Sequence, residues 1–367
     1  MPRILYALSG QGRGHTSRVM AMLEGLRAHG HDIHLACGGT ARAVFEAEGE
    51  PVLAVPALYQ VLDGNKLRVL RTGARNAARV LAGPATVRRL AERVEALAPD
   101  LVVTDFEVFV PRAAARVGIP VVSLNHQEVI TQTRYRLPLR HSAGKLFIQT
   151  VVHAIAPRRP AARIISTFFF PPLRRPGSAV LVGPILRRAV REARPTTGAD
   201  VLVYVNFADG AERLLDALAR VDARFVVYGY DTPARAAERF PNLAFRAPSI
   251  DGFLADLAGC RAVVCTAGFT LLSECLHLGK PALAVPNRGI FEQTLNALML
   301  ERTGLGEAVI DQPLTADRVA GFLARVGRYE DRLSRHHLDP GNEAALGVLE
   351  RVLRGRTAPA LREAALA

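Results

Sequence analysis

The chain has 367 residues, of which 49% are hydrophobic and 22% charged, and its formal net charge is +13. This composition excludes a disordered chain, and the length is typical of two domains. No apolar run is long enough to cross a bilayer. The first residues lack the basic start and cleavage site of a signal peptide, so we expect a cytoplasmic protein.

The charge is distributed unevenly along the chain. Residues 1–186 hold 24 Lys and Arg against 12 Asp and Glu, whereas the remainder holds 23 against 22. No acid lies between Glu128 and Glu192, and twelve Lys and Arg fall in that interval. One-sided charge of this kind favours an anionic partner for the first half, and both nucleic acid and an acidic membrane surface fit. An arginine-rich genome would explain part of the excess, but not its restriction to one half.

The cysteines predict no disulfide or zinc site. Cys37, Cys260, Cys265 and Cys275 are scattered without a CxxC pair, which is typical of reduced, mostly buried thiols. The chain also has no DxD pair and no obvious cluster of His and Cys ligands, so the sequence predicts no metal.

The first half alternates apolar runs with amphipathic stretches. The runs RILYALS, DIHLACG, DLVVTD and PVVSLN predict buried strands, and helical patterns lie between them at His15–His29 and Val110–Val117. This alternation predicts a parallel sheet with crossover helices.

Between about Arg134 and Arg194, proline and arginine are frequent, and we expect an irregular connection there. Six apolar runs then follow: DVLVYVN, RFVVYGY, LAFRA, RAVVCT, PALAVP and EAVI. They predict a second domain of the same kind. We expect domains at 1–186 and 200–345, a linker at 187–199, and a closing helix with a tail at 346–367.

A glycine turn follows the first predicted strand in the stretch SGQGRGH. Gly10, Gly12 and Gly14 give the spacing GxGxG, which is neither the dinucleotide fingerprint GxGxxG nor the phosphate loop of nucleotide hydrolases. The turn indicates close backbone approach, and His15 follows it at the start of a helix. A helix N-terminus disfavours a protonated imidazole, so His15 is a candidate base. The alternative is a tight turn with a solvated histidine.

Asp105 is the candidate partner of this histidine. It ends the run DLVVTD, and the carboxyl ends of parallel strands line one edge of a sheet. Asp105 is therefore expected near His15, where it would orient the ring as the acid of a catalytic triad does. The alternative is that Asp105 caps the helix that follows.

The second half has its clearest pattern in CTAGFTLLSECLHLGK and the residues after it. Gly268 opens a helix, where Thr270 and the free backbone amides suit a phosphate. Glu274 suits a ribose diol, and Glu292 with Gln293 offers acceptors and donors for sugar hydroxyls. The alternative for each of these acids is a solvated helix surface.

These motifs resemble those of GT-B glycosyltransferases of the family 1 and family 28 kind, including the enzymes that add N-acetylglucosamine to the lipid-linked peptidoglycan precursor. The resemblance covers most of the chain and includes VGPILR before the linker. It implies two Rossmann-like α/β domains facing across a cleft, with the acceptor and the base in the first and a nucleotide sugar in the second. It also implies an inverting hexosyltransferase that needs no metal or cofactor.

The resemblance assigns roles to individual residues. His15 matches the catalytic base, Asp105 the acid that orients it, and Gly10, Gly12 and Gly14 the turn at the acceptor or its phosphate. The implied donor residues are Gly268, Phe269 and Thr270 at the diphosphate, Glu274 at the ribose, Glu292 and Gln293 at the sugar, and Ile250 in the loop APSIDGFL that faces the base. Thr266 departs from the pattern, because many family 1 enzymes have a histidine there.

Two other functions fit parts of the sequence. A nucleotide-sugar 2-epimerase resembles GT-B proteins in fold, but it needs several carboxylates in its cleft, and the first half offers few. A nucleic-acid binder would explain the basic half, but the chain has no Trp and only 6% aromatic residues for base stacking. We therefore expect no nucleic-acid partner.

A basic, partly apolar surface is predicted in the first half. Arg68, Arg71, Arg75 and Arg79 recur at spacings of three and four, which places them on one face of a helix. With the acid-free stretch after Glu128, they favour peripheral contact with an anionic membrane and a lipid-linked or otherwise anionic acceptor. The alternative is a solvated arginine face.

Overall fold

Two parallel β-sheets organise the chain. The structure is a computed structural model that describes residues 1–64, 66–204, 211–230 and 236–355. Backbone contacts divide it into two units. The first contains Met1–Gln60, Val69–Arg187 and the described part of Pro340–Ala367, and the second contains Val61–Arg68 and Arg188–Asp339.

The strands and helices follow each other along the chain in the alternation typical of α/β proteins. The strands are β1 Arg3–Leu8, β2 Asp32–Cys37, β3 Val52–Ala54, β4 Leu62–Asp63, β5 Lys66–Leu67, β6 Leu101–Asp105, β7 Val121–Asn125, β8 Ala162–Ser166, β9 Val180–Val182, β10 Val201–Tyr204, β11 Phe225–Tyr228, β12 Leu243–Phe245, β13 Ala262–Cys265, β14 Ala282–Ala284 and β15 Gly306–Ala308. The helices are α1 Arg13–Ala28, α2 Gly39–Ala47, α3 Val69–Leu81, α4 Gly83–Leu97, α5 Val110–Arg116, α6 Val129–Gln132, α7 Ser142–Ile155, α8 Arg188–Glu192, α9 Ala211–Ala219, α10 Ala236–Arg239, α11 Ile250–Gly259, α12 Phe269–His277, α13 Phe291–Thr303, α14 Ala316–Ala324, α15 Val326–Ser334 and α16 Asn342–Leu353.

The first unit is built on a parallel sheet in the order β3-β2-β1-β6-β7-β8-β9. β1 pairs with β2 on one side and with β6 on the other, so the winding of the chain reverses between β1 and β6. Ligands of open α/β sheets usually bind at the carboxyl ends of the two strands where this reversal occurs. At that edge Leu8 pairs with Asp105.

Helices cover both faces of this sheet. Along β1, Ile4 and Tyr6 pack into a core shared with α1 and α16, whereas Leu5 and Ala7 pack into a second core with α4 and α5. A strand buried on both faces has a continuous apolar run instead of an alternating one. This is why RILYAL and LVVTD predicted buried strands correctly.

The expectation of an irregular connection between Arg134 and Arg194 is wrong. That stretch contains α7, strands β8 and β9 at the edge of the first sheet, and the short helix α8. The strands ARIIS and VLV are short and lie close to prolines. Because prolines are typical of turns, the sequence pattern did not indicate that the sheet continues here.

The second unit contains a parallel sheet in the order β12-β11-β10-β13-β14-β15. Its winding reverses between β10 and β13, which are paired from Val201 and Ala262 to Tyr204 and Cys265. Phe225 of β11 and Val264 of β13 lie in a core with side chains of α9, α14 and α15. Each of the six apolar runs predicted as strands in the second half overlaps a strand within the described residues.

A small antiparallel hairpin, β4 and β5, belongs to the second unit. The Leu67 amide donates to the Arg288 carbonyl over 2.9 Å, which ties the hairpin to the loop after β14. Arg68 ends this segment and forms an ion pair with Asp63. It therefore does not lie on α3, which begins at Val69, and the predicted helical row of four arginines is reduced to three.

The four cysteines are buried free thiols, as predicted. Burial raises the pKa of Cys265 to about 12, so this thiol is protonated and inert at neutral pH. Among the described residues, no helix combines the length and the apolar character needed to cross a membrane.

Candidate active site

The turn between β1 and α1 depends on its glycines. A Cβ at Gly10 would lie 2.6 Å from the Ala57 Cβ and 2.7 Å from the Gly38 carbonyl oxygen, so no larger residue fits. Gly12 has a φ of 97°, in the left-handed region that favours glycine. Gly14 is the second residue of α1 and is half-buried. This geometry places His15 in the first turn of α1 at the edge where the winding of the sheet reverses.

His15 and Asp105 are in contact. His15 Nδ1 lies 2.8 Å from Asp105 Oδ1, and the side chain of Asp105 is fully buried at the end of β6. Phe106, which has a φ of 58°, stacks on the His15 ring with an angle of 5° between the ring planes. When Nδ1–H of a neutral imidazole donates to the carboxylate, Nε2 carries the lone pair. The arrangement leaves that nitrogen to act as a base.

Arg18 completes this cluster, and the sequence argument missed it. Its Nε donates to Asp105 Oδ2 and its Nη2 to Oδ1, both over 2.8 Å, in a bidentate ion pair. Arg18 Nη2 also lies 3.2 Å from His15 Nδ1. The available signal was an arginine three residues after His15, on the same face of the predicted helix.

The charges in the cluster balance. Burial by itself raises the pKa of the Asp105 carboxyl, but Arg18 and then His15 outweigh it and leave this pKa below its ordinary value. Asp105 is therefore ionised at neutral pH. The Arg18 guanidinium thus holds the ionised carboxylate that contacts the His15 ring.

Two further titratable side chains in the first unit, Glu107 and His126, have contacts of their own. The Glu107 carboxylate accepts hydrogen bonds from the amides of Phe109 and Val110 at the start of α5, and burial raises its pKa to about 7. His126 Nδ1 lies 2.8 Å from the Ser166 carbonyl oxygen, and its ring packs edge-on against Phe169. Both contacts tie the side chain to the local structure of the first unit.

In the second unit, Gly268 forms the N-cap of α12 directly after β13. A Cβ at Gly268 would meet no atom within 4 Å, so the turn borders open space. Thr270 lies half-buried in the first turn of the helix, and Phe269 is buried. The Asn296 side-chain amide of α13 donates to the Ala267 carbonyl over 3.1 Å and fixes the turn from behind. The backbone amides at the start of a helix are suited to binding an anion.

The alternative of a solvated helix surface does not hold for Glu274. It is only 5% exposed on the buried side of α12. Glu292 lies half-buried in the first turn of α13, and the neighbouring Gln293 is buried. Gln293 Oε1 accepts the Asn287 amide over 2.8 Å, so this oxygen is already used inside the unit.

β13 and β14 are neighbours, with Cys265 opposite Ala284, so α12 and α13 both begin beyond the carboxyl edge of the sheet. Ile250 starts α11, after β12, and β11 and β10 separate β12 from β13. It is 55% exposed, and Ser249 before it caps the helix. The loop after β10, which completes the point of reversal in this sheet, is outside the described residues.

Comparison with known proteins identifies the family. The model of the family described as glycosyl transferase family 1 matches residues 2–327. The chain belongs to this family. It is a glycosyltransferase of the GT-B type, in the hexosyltransferase class, with two parallel-sheet α/β domains.

Relatives and solved structures agree with this assignment. An uncharacterised glycosyltransferase of Methanosarcina acetivorans is 24% identical over 325 residues, covering 83% of each chain. The UDP-N-acetylglucosamine--N-acetylmuramyl-(pentapeptide) pyrophosphoryl-undecaprenol N-acetylglucosamine transferase of Sorangium cellulosum is 29% identical, covering 89% of this chain and 80% of that protein. Among solved structures, MurG of Acinetobacter baumannii has a TM-score of 0.64 at 14% identity, covering 96% of this chain and all of that one. The calicheamicin glycosyltransferase CalG4 has a TM-score of 0.65 at 19% identity, covering 97% and 99%.

The Arg18 contacts predict a change in pH dependence. In Arg18→Lys the charge remains but the bidentate geometry is lost, and in Arg18→Met the Asp105 anion acts on His15 alone. We expect the acid limb of kcat against pH to move upward in Arg18→Met, because a positive charge beside the proposed base is removed. The matched control Arg27→Met removes an arginine from the exposed last turn of the same helix and should leave the profile unchanged.

Arg18→Met also removes the ion-pair partner of a buried carboxylate, which costs about 3–5 kcal/mol. If that variant does not fold, Arg18→Met combined with Asp105→Asn removes the uncompensated charge, and Arg18→Lys still tests the geometry. Wild-type pH profiles in all folded Arg18 variants would show that Arg18 has no influence on the base.

Proposed function

We propose that this glycosyltransferase moves a sugar from a nucleotide diphosphate donor to a lipid-linked or cell-envelope acceptor, with inversion and without a metal. The contact of His15 with Asp105 and Arg18 is the observation that carries the proposal. A neutral imidazole held at Nδ1 by a buried carboxylate suits the removal of a proton from an acceptor hydroxyl.

The proposed reaction is a single displacement. The acceptor oxygen attacks the anomeric carbon on the face opposite the leaving group while His15 Nε2 takes its proton. The bond from that carbon to the diphosphate oxygen breaks, and the nucleotide diphosphate leaves with the electron pair. Negative charge develops on the diphosphate, and the amides at the start of α12 can stabilise it in place of a metal ion.

We infer a UDP-sugar such as UDP-N-acetylglucosamine as the donor. The support is the likeness to the Sorangium transferase, whose name gives that donor, and the residues around α12 and α13. The buried Glu274 would accept both hydroxyls of the ribose. Because Gln293 Oε1 is bonded to the Asn287 amide, Gln293 would contact the sugar through its Nε2 donors, and Glu292 would supply acceptors.

The direct test is a panel of UDP-, GDP- and dTDP-sugars with and without cell lipid extract, measuring release of the nucleotide diphosphate. We expect release from a UDP-sugar, stimulation by the extract and persistence in EDTA. His15→Ala should lower kcat by about 10²–10⁴-fold with donor affinity nearly unchanged, and Asp105→Asn should lower it less.

Three results would contradict parts of this proposal. Wild-type turnover in His15→Ala would place the base elsewhere. Complete loss in EDTA that Mg²⁺ or Mn²⁺ restores would contradict transfer without a metal. Interconversion of two nucleotide sugars without net diphosphate release would instead identify a 2-epimerase.

A second prediction concerns the donor site. Glu274→Gln should weaken binding of UDP by about 1.5–3 kcal/mol, because a hydrogen bond to a charged acceptor is lost. Calorimetry with the nucleotide diphosphate alone measures this. The variant Glu301→Gln, which changes an exposed residue at the end of α13, is the matched control and should bind UDP normally.

Changes at Glu292 should alter the preference between donor sugars more than they alter the affinity for UDP. Unchanged UDP affinity in Glu274→Gln would contradict the proposed contact of Glu274 with the ribose.

Exposed apolar side chains on the first unit support a membrane-bound acceptor. On α3, Leu70 is 89% and Leu81 82% exposed, and before and on α7 Leu139 is 90% and Leu146 69% exposed. Arg71 on α3 and Arg140 beside Leu139 are exposed as well. Apolar side chains inserted among basic ones are typical of proteins that bind the surface of an anionic bilayer. We propose that these residues, the apolar-basic surface, make that contact.

Co-sedimentation with vesicles tests this surface. The protein should pellet with vesicles containing anionic lipid at low salt, remain in solution with neutral vesicles, and dissociate as salt rises, because each bound Lys or Arg contributes about 1 kcal/mol. The triple variant Leu70→Ser, Leu139→Ser, Leu146→Ser should bind at least tenfold more weakly. The control Val44→Ser changes an exposed residue on α2 of the same unit. If the protein pelleted with neither vesicle type, a water-soluble acceptor would be favoured.

A further inference from the structure

Two histidines and a glutamate meet on the first unit, away from the proposed active site. His29 is the residue at which α1 ends, His31 lies just before β2, and Glu350 is on α16. They therefore lie near the amino end of β2. His15 follows the carboxyl end of β1, and because β1 and β2 are parallel, the two groups lie toward opposite edges of the sheet.

The three side chains share one oxygen. His29 Nδ1 lies 3.1 Å and His31 Nε2 2.6 Å from Glu350 Oε1. One ligand atom from each residue lies within 4.8 Å of the other two. A tetrahedral zinc ion binds nitrogen and carboxylate oxygen at about 2.0–2.2 Å, which separates its ligand atoms by roughly 3.3 Å. The present distances of 3.1 Å and 2.6 Å to Oε1 are shorter than this value, so an ion would bind with a shift of the carboxylate and of the exposed His29 ring.

The chemistry of these donors suits a borderline transition metal. Imidazole nitrogen with one carboxylate oxygen is a donor set that favours zinc, cobalt, nickel or copper over calcium or magnesium. Glu350 Oε1 is the atom on which both imidazoles converge, so it is the oxygen placed to act as the ligand. Arg354 lies 3.7 Å from the other oxygen, Oε2, which leaves Oε1 for a metal.

The accessibility of the cluster fits a site that an ion enters from solvent. The His31 side chain is 4% exposed, that of Glu350 20% and that of His29 43%. His31 and Glu350 would thus form the fixed inner part, and His29 the part that closes over the ion. Among the described residues, His31 Nδ1 has no hydrogen-bond partner. No donor therefore requires Nδ1 to be the unprotonated nitrogen of the ring. The proton can reside there while Nε2 binds the metal.

We propose that His29, His31 and Glu350 form a binding site for a zinc-class divalent ion that fastens the C-terminal helix α16 to the end of α1. A bound ion replaces the protons that the two imidazoles now share with Oε1, and water completes its coordination.

The position gives this site a structural effect. α16 is distant in sequence from the rest of the unit and joins it by packing, with Leu346 against Gly25 of α1, where a Cβ would lie 2.4 Å from Leu346 Cδ1. The Asn342 side chain is bonded to the backbone of Leu186 at the start of the helix. Glu350 lies two turns beyond Asn342, so a metal there would fix the other end of α16. Proposed transfer chemistry at His15 does not involve this ion.

Metal titration of the full chain tests the proposal. Protein stripped with EDTA and dialysed into buffer is titrated with ZnCl₂ by calorimetry, and separately with CoCl₂, whose visible absorption reports the ligand geometry. We expect one ion per chain at micromolar Kd or tighter. His29→Ala, which changes an exposed side chain and should not unfold the protein, is expected to weaken binding at least tenfold. Glu350→Gln should abolish it. His153→Ala on α7, an exposed histidine in the same unit, is the matched control.

Thermal unfolding provides a readout independent of enzyme activity. Zinc at 100 times its Kd should raise the Tm of the wild type, because the ion binds the folded state only, and should leave that of His29→Ala nearly unchanged. Absence of saturable binding below about 100 μM zinc would overturn the proposal and leave the cluster as a hydrogen-bonded clamp. Equal zinc binding in wild type, His29→Ala and Glu350→Gln would also overturn it, since the ion would then bind elsewhere.

Discussion

A buried carboxylate at the point where the first sheet reverses its winding constrains the rest of the proposed active site. Asp105 has no exposed side-chain surface, and an isolated charge in such a position would cost several kcal/mol. The structure supplies two partners from one helix, Arg18 and His15. The turn that leads into α1 is packed closely as well, because a Cβ at Gly10 would clash with Ala57 and with the Gly38 carbonyl.

The contacts of Asp105 differ from those of the acid in a catalytic triad. In a triad the acid faces the histidine and stabilises the imidazolium that forms during reaction. Here Asp105 is already neutralised by a bidentate arginine, so it fixes the orientation of His15 while adding less negative charge to it. The proposed base is thereby held in place by a carboxylate whose charge Arg18 balances. This balance suits a hydroxyl whose proton leaves as the bond to the sugar forms.

Much of the fold could be predicted because the strands of a parallel sheet are buried on both faces and appear as unbroken apolar runs. The contact of His15 with Asp105 followed from the rule that parallel strands end at a common edge. Arg18 was missed because a charged residue on a helix usually faces solvent, and only the buried Asp105 reverses that preference. The strands β8 and β9 were missed because prolines near them outweighed two short apolar runs.

Long-range contacts were beyond what local patterns contain. His29 and His31 are two residues apart, but Glu350 stands 319 residues after His31 and becomes their neighbour only because α16 packs on α1. Arg68 was placed on α3 by its spacing, whereas its pairing with Asp63 and the hairpin's contact with Arg288 put it in the second unit. Periodicity specifies a helical face, but it does not specify where the helix begins.

The excess of positive charge in the first half is smaller at its surface than the composition implies. Arg18 is buried against Asp105, Arg163 is paired with the buried Glu128, and Arg75 and Arg79 both lie over the ring of Tyr59. These arginines stabilise the unit and are only partly available to an anionic partner. The exposed leucines on α3 and near α7 differ from these arginines. An apolar side chain in water does not stabilise the folded unit, so internal contacts do not account for their exposure. They, more than the net charge, support a membrane surface as the partner of this unit, and they are why the vesicle experiment changes leucines and not arginines.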